Sequence, residues 1–202
     1  MSFPRYFFLL SLCSCVSVFA EDKPAFNQAE WAALQKGRPV LMTQNPCLTH
    51  ERDKNYVTGA VLLNNSIQNV WSVINDAEAA PSYVEDMVMA RVVAAQNNTV
   101  LVEHGMKINR KEYRYLVRLF PSPGHEKLTF KMEKGSFRSL EGGWWLYPVT
   151  GGRTLLVHSL HLDPGMFSPK NAVRNSLMKK IPETLTALNL VVQQRSGYAV
   201  VR

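Results

Sequence analysis

The longest regular pattern in the chain lies near its end, where Ser168 to about Gln194 reads SPKNAVRNSLMKKIPETLTALNLVVQQ. At about 100° per residue, Val173, Leu177, Met178, Ile181, Leu185, Leu188, Val191 and Val192 share an arc of roughly 140°, and Asn175, Lys179, Lys180, Glu183, Asn189 and Gln193 lie outside it. The spacing predicts one amphipathic helix of about 26 residues, roughly 39 Å long. Ser168 supplies an N-cap oxygen, and Pro169 takes the first helical position, where its missing N–H costs nothing. Pro182 removes one backbone hydrogen bond, so a kink is expected there, with the stripe continuing on both sides. Something must cover that stripe: an ordinary core, or a cavity for which the helix is the lid.

Upstream the period changes from helical to alternating. Tyr56–Asn64 reads as a strand, and Asn64, Asn65 and Ser66 then break it and cap a helix on which Ile67, Val70, Trp71 and Ile74 share a face. Asp76 is placed to cap a second short helix containing Pro81 and Tyr83. Six strand patterns follow, Met87–Ala95, Thr99–Ile108, Glu112–Phe120, Lys127–Glu133, Phe137–Tyr147 and Arg153–Leu162, separated by Asn, Gly, Pro and Ser turns. Alternation puts Tyr113, Tyr115, Val117 and Leu119 on one face and Glu112, Arg114 and Arg118 on the other. Val102, His104, Met106, Leu128, Phe130 and Met132 fall on the apolar face by the same count. The predicted class is α+β: about seven antiparallel strands with one apolar face, two short helices after the first strand, and one long helix.

Before Tyr56 the texture differs. Met1–Ala20 carries one charge, Arg5, then an apolar run and Val18-Phe19-Ala20, which reads as a secretory signal cut near Ala20. That places the mature protein in the periplasm or outside the cell. A cut before Cys15 would make a lipoprotein instead, but Leu12-Cys13-Ser14 is an untidy approach to it. Residues 21–55 form an extension with a short helix ending at Gly37, which Phe26, Trp31 and Leu34 can dock on a larger body. Residues 195–202 are a tail. Cys13 and Cys15 leave with the signal and Cys47 remains, so no internal disulfide is expected and stability must come from a core. The formal net charge of +7 is spread without a Lys/Arg run, which fits an anionic membrane surface better than nucleic acid.

The order of elements, and several local motifs, resemble the START-like superfamily of polyketide cyclases and coenzyme Q-binding domains. Val70-Trp71-Ser72-Val73-Ile74-Asn75-Asp76 and Pro81-Ser82-Tyr83-Val84 resemble its helix pair; Gly142-Gly143-Trp144-Trp145-Leu146-Tyr147-Pro148 with Gly152-Arg153-Thr154 resembles its penultimate hairpin. Asp163-Pro164-Gly165 before Ser168-Pro169 resembles its lead-in to the last helix. The resemblance covers 56–194 and implies a helix-grip fold, a curved sheet wrapped around the C-terminal helix with an apolar cavity between them. Where many relatives carry tyrosine on the last strand, this chain has His158.

On that fold the cavity would be lined by Tyr113, Tyr115, Phe130, Met132, Trp144 and His158 from strands, and by Leu177, Ile181, Leu185 and Leu188 from the helix. Residues of these types at such spacing also serve as plain core. Met166 and Phe167 would form an apolar gate, next to Lys170, Arg174, Lys179 and Lys180 for anionic headgroups. No HExxH, GxSxG or phosphate loop occurs, and no metal or cofactor is expected. His104, His158, or Glu141 turned inward by a bulge at Gly142-Gly143, would be needed for catalysis. Asp163 reads as a cap for backbone N–H groups. The expectation is a carrier for a lipid, quinone, sterol or polyketide-like molecule, with transient membrane contact. The alternatives are a cyclase or dehydratase, and a filled-core interaction module, which a cavity below about 300 Å³ would favour.

Overall fold

The computed structural model describes residues 24–42, 56–108, 110–165 and 170–197. Met1–Lys23, with the signal reading, lies outside them, as do Cys47, the gate residues Met166 and Phe167, and the helix-start residues Ser168 and Pro169.

Helix α1 (Gln28–Gln35) starts at Asn27, whose side chain accepts from the Glu30 N–H at 2.9 Å while Glu30 accepts from the Asn27 N–H. Gly37, at φ +69°, ends it. Strand β1 (Val40–Met42) then pairs with β2 (Val57–Leu63), Val40 opposite Ala60. Ser66 Oγ accepts from Asn69 N–H at the start of α2 (Ile67–Ile74), and a 3-10 turn spans Ala77–Ser82. Asp76 makes no side-chain cap there; its carboxylate instead accepts from Arg195 at 2.9 Å. The meander is β3 (Met87–Gln96), β4 (Thr99–Ile108), β5 (Lys111–Pro121), β6 (Lys127–Gly135), β7 (Ser139–Val149) and β8 (Arg153–Asp163). Helix α3 (Lys170–Arg195) closes the order and runs through Pro182 as one element.

All pairing is antiparallel, in the order β1-β2-β8-β7-β6-β5-β4-β3. The class is α+β helix-grip, with eight strands where about seven were expected. The addition is β1: the sequence around it is too short to show alternation, and the pairing that makes it a strand is supplied by β2.

The expectation of one apolar and one charged face holds for β4 to β6 and fails for β2, β7 and β8. All seven residues of β2 are buried. The inner core joins α2, α3 and the inward residues of the sheet. A second core on the opposite face joins Leu34, Ala60, Leu62, Trp145, Tyr147, Leu155 and Val157, with Phe26, Trp31, Val40 and Met42 packed against it. The extension is therefore a plate over the outer face of three strands, docked through the residues its sequence offered.

Candidate functional site

Between sheet and helix lies an apolar cavity of about 140 Å³ that opens to the surface. Ile74 from α2, Ala77, Ala80 and Tyr83 from the segment after it, inward residues of β3 to β8, and Leu177 from α3 form the walls. No Asp, Glu, Lys or Arg is among them. The volume of the cavity suits a single aromatic ring, since a cavity of about 150 Å³ with aliphatic and aromatic walls holds benzene.

Strand register assembles the polar groups of this wall in two pairs. His104 on β4 stands opposite Tyr115 on β5, rings 5.3 Å apart edge to face. Trp144 on β7 stands opposite His158 on β8, rings stacked at 3.7 Å. Phe130 of β6 lies 6.3 Å from the His158 ring, and Tyr83 meets Trp144 edge-on at 6.2 Å.

Burial sets the protonation states. It pushes the His104 and His158 rings down to about 4, so both are neutral at pH 7. It pushes the Tyr83 and Tyr115 hydroxyls up, so neither ionises. His158 Nδ1 lies 3.0 Å from the carbonyl oxygen of Gly143, which can only accept. Nδ1 therefore carries the proton, and Nε2 of the neutral ring is left with a lone pair. Among the described residues no hydrogen bond engages the His104 ring or the Tyr83 and Tyr115 hydroxyls.

Of the residues expected at the cavity, Tyr115, Phe130, Trp144, His158 and Leu177 line it. Tyr113 does not: near the start of β5 it is half-buried and stacks on Phe137 at 5.6 Å. Met132 packs against the inner core beside Gly135, next to a register shift in the β5–β6 ladder. Ile181, Leu185 and Leu188 are buried against β2, where a Cβ on Gly59 would lie 2.7 Å from Ile181 Cγ2 and 3.1 Å from Leu185 Cδ1. The stripe thus splits along its length, and Leu177 alone of these four reaches the cavity.

Other expectations are corrected here too. The β6–β7 and β7–β8 registers run unbroken through Gly142-Gly143, so no bulge turns Glu141 inward; it sits on the outer face and accepts from the Tyr56 hydroxyl at 3.1 Å. Asp163 does cap backbone, accepting from the Gly165 N–H at 2.8 Å. Lys180 is half-buried and bridges Glu85 at 2.9 Å and Asp86 at 2.6 Å, while Arg174 and Lys179 are exposed. Tyr83 was missed as a wall residue, because a 3-10 turn carries no periodicity from which its facing can be read.

A curved antiparallel sheet gripping one long helix over a charge-free cavity defines the helix-grip class. The chain belongs to the polyketide cyclase / dehydrase and lipid transport family, whose model matches residues 63–189. It is similar in fold to a protein of Thermus thermophilus (18% identity, 71% of this chain and 100% of the other, TM-score 0.65). It is likewise similar to the Zhui aromatase/cyclase of a Streptomyces species (14%, 70% and 95%, 0.62) and to a STAR-related lipid transfer protein fragment of Xanthomonas axonopodis (15%, 77% and 99%, 0.59). No curated protein matches the sequence.

Proposed function

We propose that this protein is a periplasmic or secreted carrier that holds a small hydrophobic molecule between its sheet and α3. The observation that carries this reading is the cavity: apolar, free of charged side chains, open at one end and floored by stacked aromatic rings. Lipid transport is one of the activities in the family's description, and the leader pattern of Met1–Ala20 supports export. At about 140 Å³ the cavity suits a ring-sized ligand, or part of a larger molecule that extends out through its opening. Exposed Arg174 and Lys179 near the start of α3 suit a brief visit to an anionic membrane.

The cyclase reading is weaker. It needs an acid or base in contact with another polar group, whereas His104 makes no hydrogen bond among the described residues and His158 meets only a backbone carbonyl. The small volume of the cavity favours a second reading, a filled-core module whose partner is another envelope protein. Organic extraction of the natively purified protein followed by mass spectrometry separates these: a stoichiometric apolar compound supports the carrier. A reproducibly empty protein with no affinity for fluorescent lipid probes leaves the filled-core module.

A further inference from the structure

Granting that the cavity binds a ligand, we infer that His158 selects its chemistry: the ligand is a neutral ring compound bearing a hydroxyl, an alcohol or phenol, that donates to His158 Nε2. The geometry gives that nitrogen no other role. Nδ1–H is spent on Gly143 O at 3.0 Å, which fixes the tautomer, and imidazole geometry sets Nε2 on the far side of the ring from that carbonyl. The residue is 5% exposed and its ring stacks on Trp144 at 3.7 Å, so the acceptor is presented in one orientation. His158 lines the cavity, and its Nε2 is not among the sealed, unpartnered nitrogens of the described residues, so a ligand hydroxyl can donate to it, an interaction that a bare arene cannot make.

The same wall rejects charged ligands. A carboxylate entering it would meet neither a cation nor the His158 N–H, which faces the β7 backbone, and would have no compensation for its lost hydration. A cation would meet no carboxylate. Free fatty acids and amines are therefore disfavoured, and the polar end of the ligand is a neutral donor. On the β4–β5 side, His104 and the Tyr115 hydroxyl supply further donors and acceptors for a second substituent.

The test is calorimetric titration of the processed protein at pH 7 with 4-ethylphenol, ethylbenzene and 4-ethylbenzoate, which share a ring and differ in the polar group. The phenol should bind about tenfold more tightly than ethylbenzene, which corresponds to about 1.4 kcal/mol, and the benzoate should not bind measurably. In His158→Phe the phenol should fall to the level of the arene. Because that variant also loses the bond to Gly143, nitrogen NMR of the parent provides an independent reading: the His158 Nε2 resonance should move on adding the phenol and stay on adding the arene. Equal affinities, a preference that survives His158→Phe, binding of the benzoate, or an unmoved Nε2 overturns the assignment while leaving the cavity a binding site. If neither neutral probe binds, the assignment of a ring-sized hydroxyl ligand falls, while the carrier reading stands or falls on the extraction.

Discussion

The two halves of α3 meet the sheet differently. From Ile181 onward the helix is seated: Ile181, Leu185, Leu188 and Val192 are at most 2% exposed, and Gly59 gives them room to approach the β2 backbone. Before Ile181, Asn171, Ala172, Arg174, Asn175 and Ser176 are exposed, Leu177 is buried at the cavity, and Lys180 tethers the helix to Glu85 and Asp86. One stripe therefore does two jobs. Its second half supplies stability, and its first half covers the site, where close packing would leave no space for a ligand. A tight grip and a working cavity can coexist only because they are separated along the helix.

The sharpest way to break this contrast is truncation in each half. Leu185→Ala, at a fully buried position, should cost about 2–5 kcal/mol in denaturant unfolding and leave ligand specificity alone. Leu177→Ala should cost clearly less, because the cavity already spares part of its packing, and should admit larger ligands. Equal losses from the two would show that the halves are energetically alike.

Acid should act next, and from the cavity side. His104 and His158 are held neutral down to about pH 4, whereas in the unfolded chain they titrate near 6.5. Above pH 6.5 both states bind the same protons; as pH falls towards 4 only the unfolded chain gains them, so stability is lost across that window, by up to roughly 3 kcal/mol per ring. Replacing both histidines by phenylalanine should flatten the melting temperature between pH 6.5 and 4. If the slope stays, other groups carry it.

Gly59→Ala should cost about 1–3 kcal/mol by pushing Ile181 and Leu185 off β2, loosening the seated half without altering the cavity wall. Lys180→Met should cost under about 1 kcal/mol, since its pairs are partly solvated, yet speed ligand dissociation by untying the covering half. Stopped-flow release rates unchanged from the parent would count against a moving lid there.

Much of this was legible in the chain. Alternation placed each meander strand to within two residues, because turns such as Asn97-Asn98, both at positive φ, punctuate it. The grip followed from the order of elements. What alternation cannot supply is depth. It put Tyr113 and Tyr115 on one face, but only the sheet's curvature decides that Tyr115 reaches the cavity while Tyr113 stacks on Phe137 outside it. Likewise the helical wheel ranks Leu177 with Leu185, and only the crossing of α3 over Gly59 separates them. The second core escaped notice because its parts, Leu34 and Val40 on one side and Trp145 and Val157 on the other, lie more than a hundred residues apart.

That long separation has a consequence for how the molecule comes into being. Strand β2 is the first long strand made, yet its inner neighbour is β8, with Val57 opposite Leu160. Topology of this kind, rich in contacts between distant residues, folds in roughly milliseconds to seconds rather than microseconds. During synthesis β2, buried on both faces in the finished fold, has only the three-residue β1 beside it until almost the whole domain exists. The cavity is completed later still, when α3 arrives, so a ligand present at birth would find no wall to bind until the last two elements are in place.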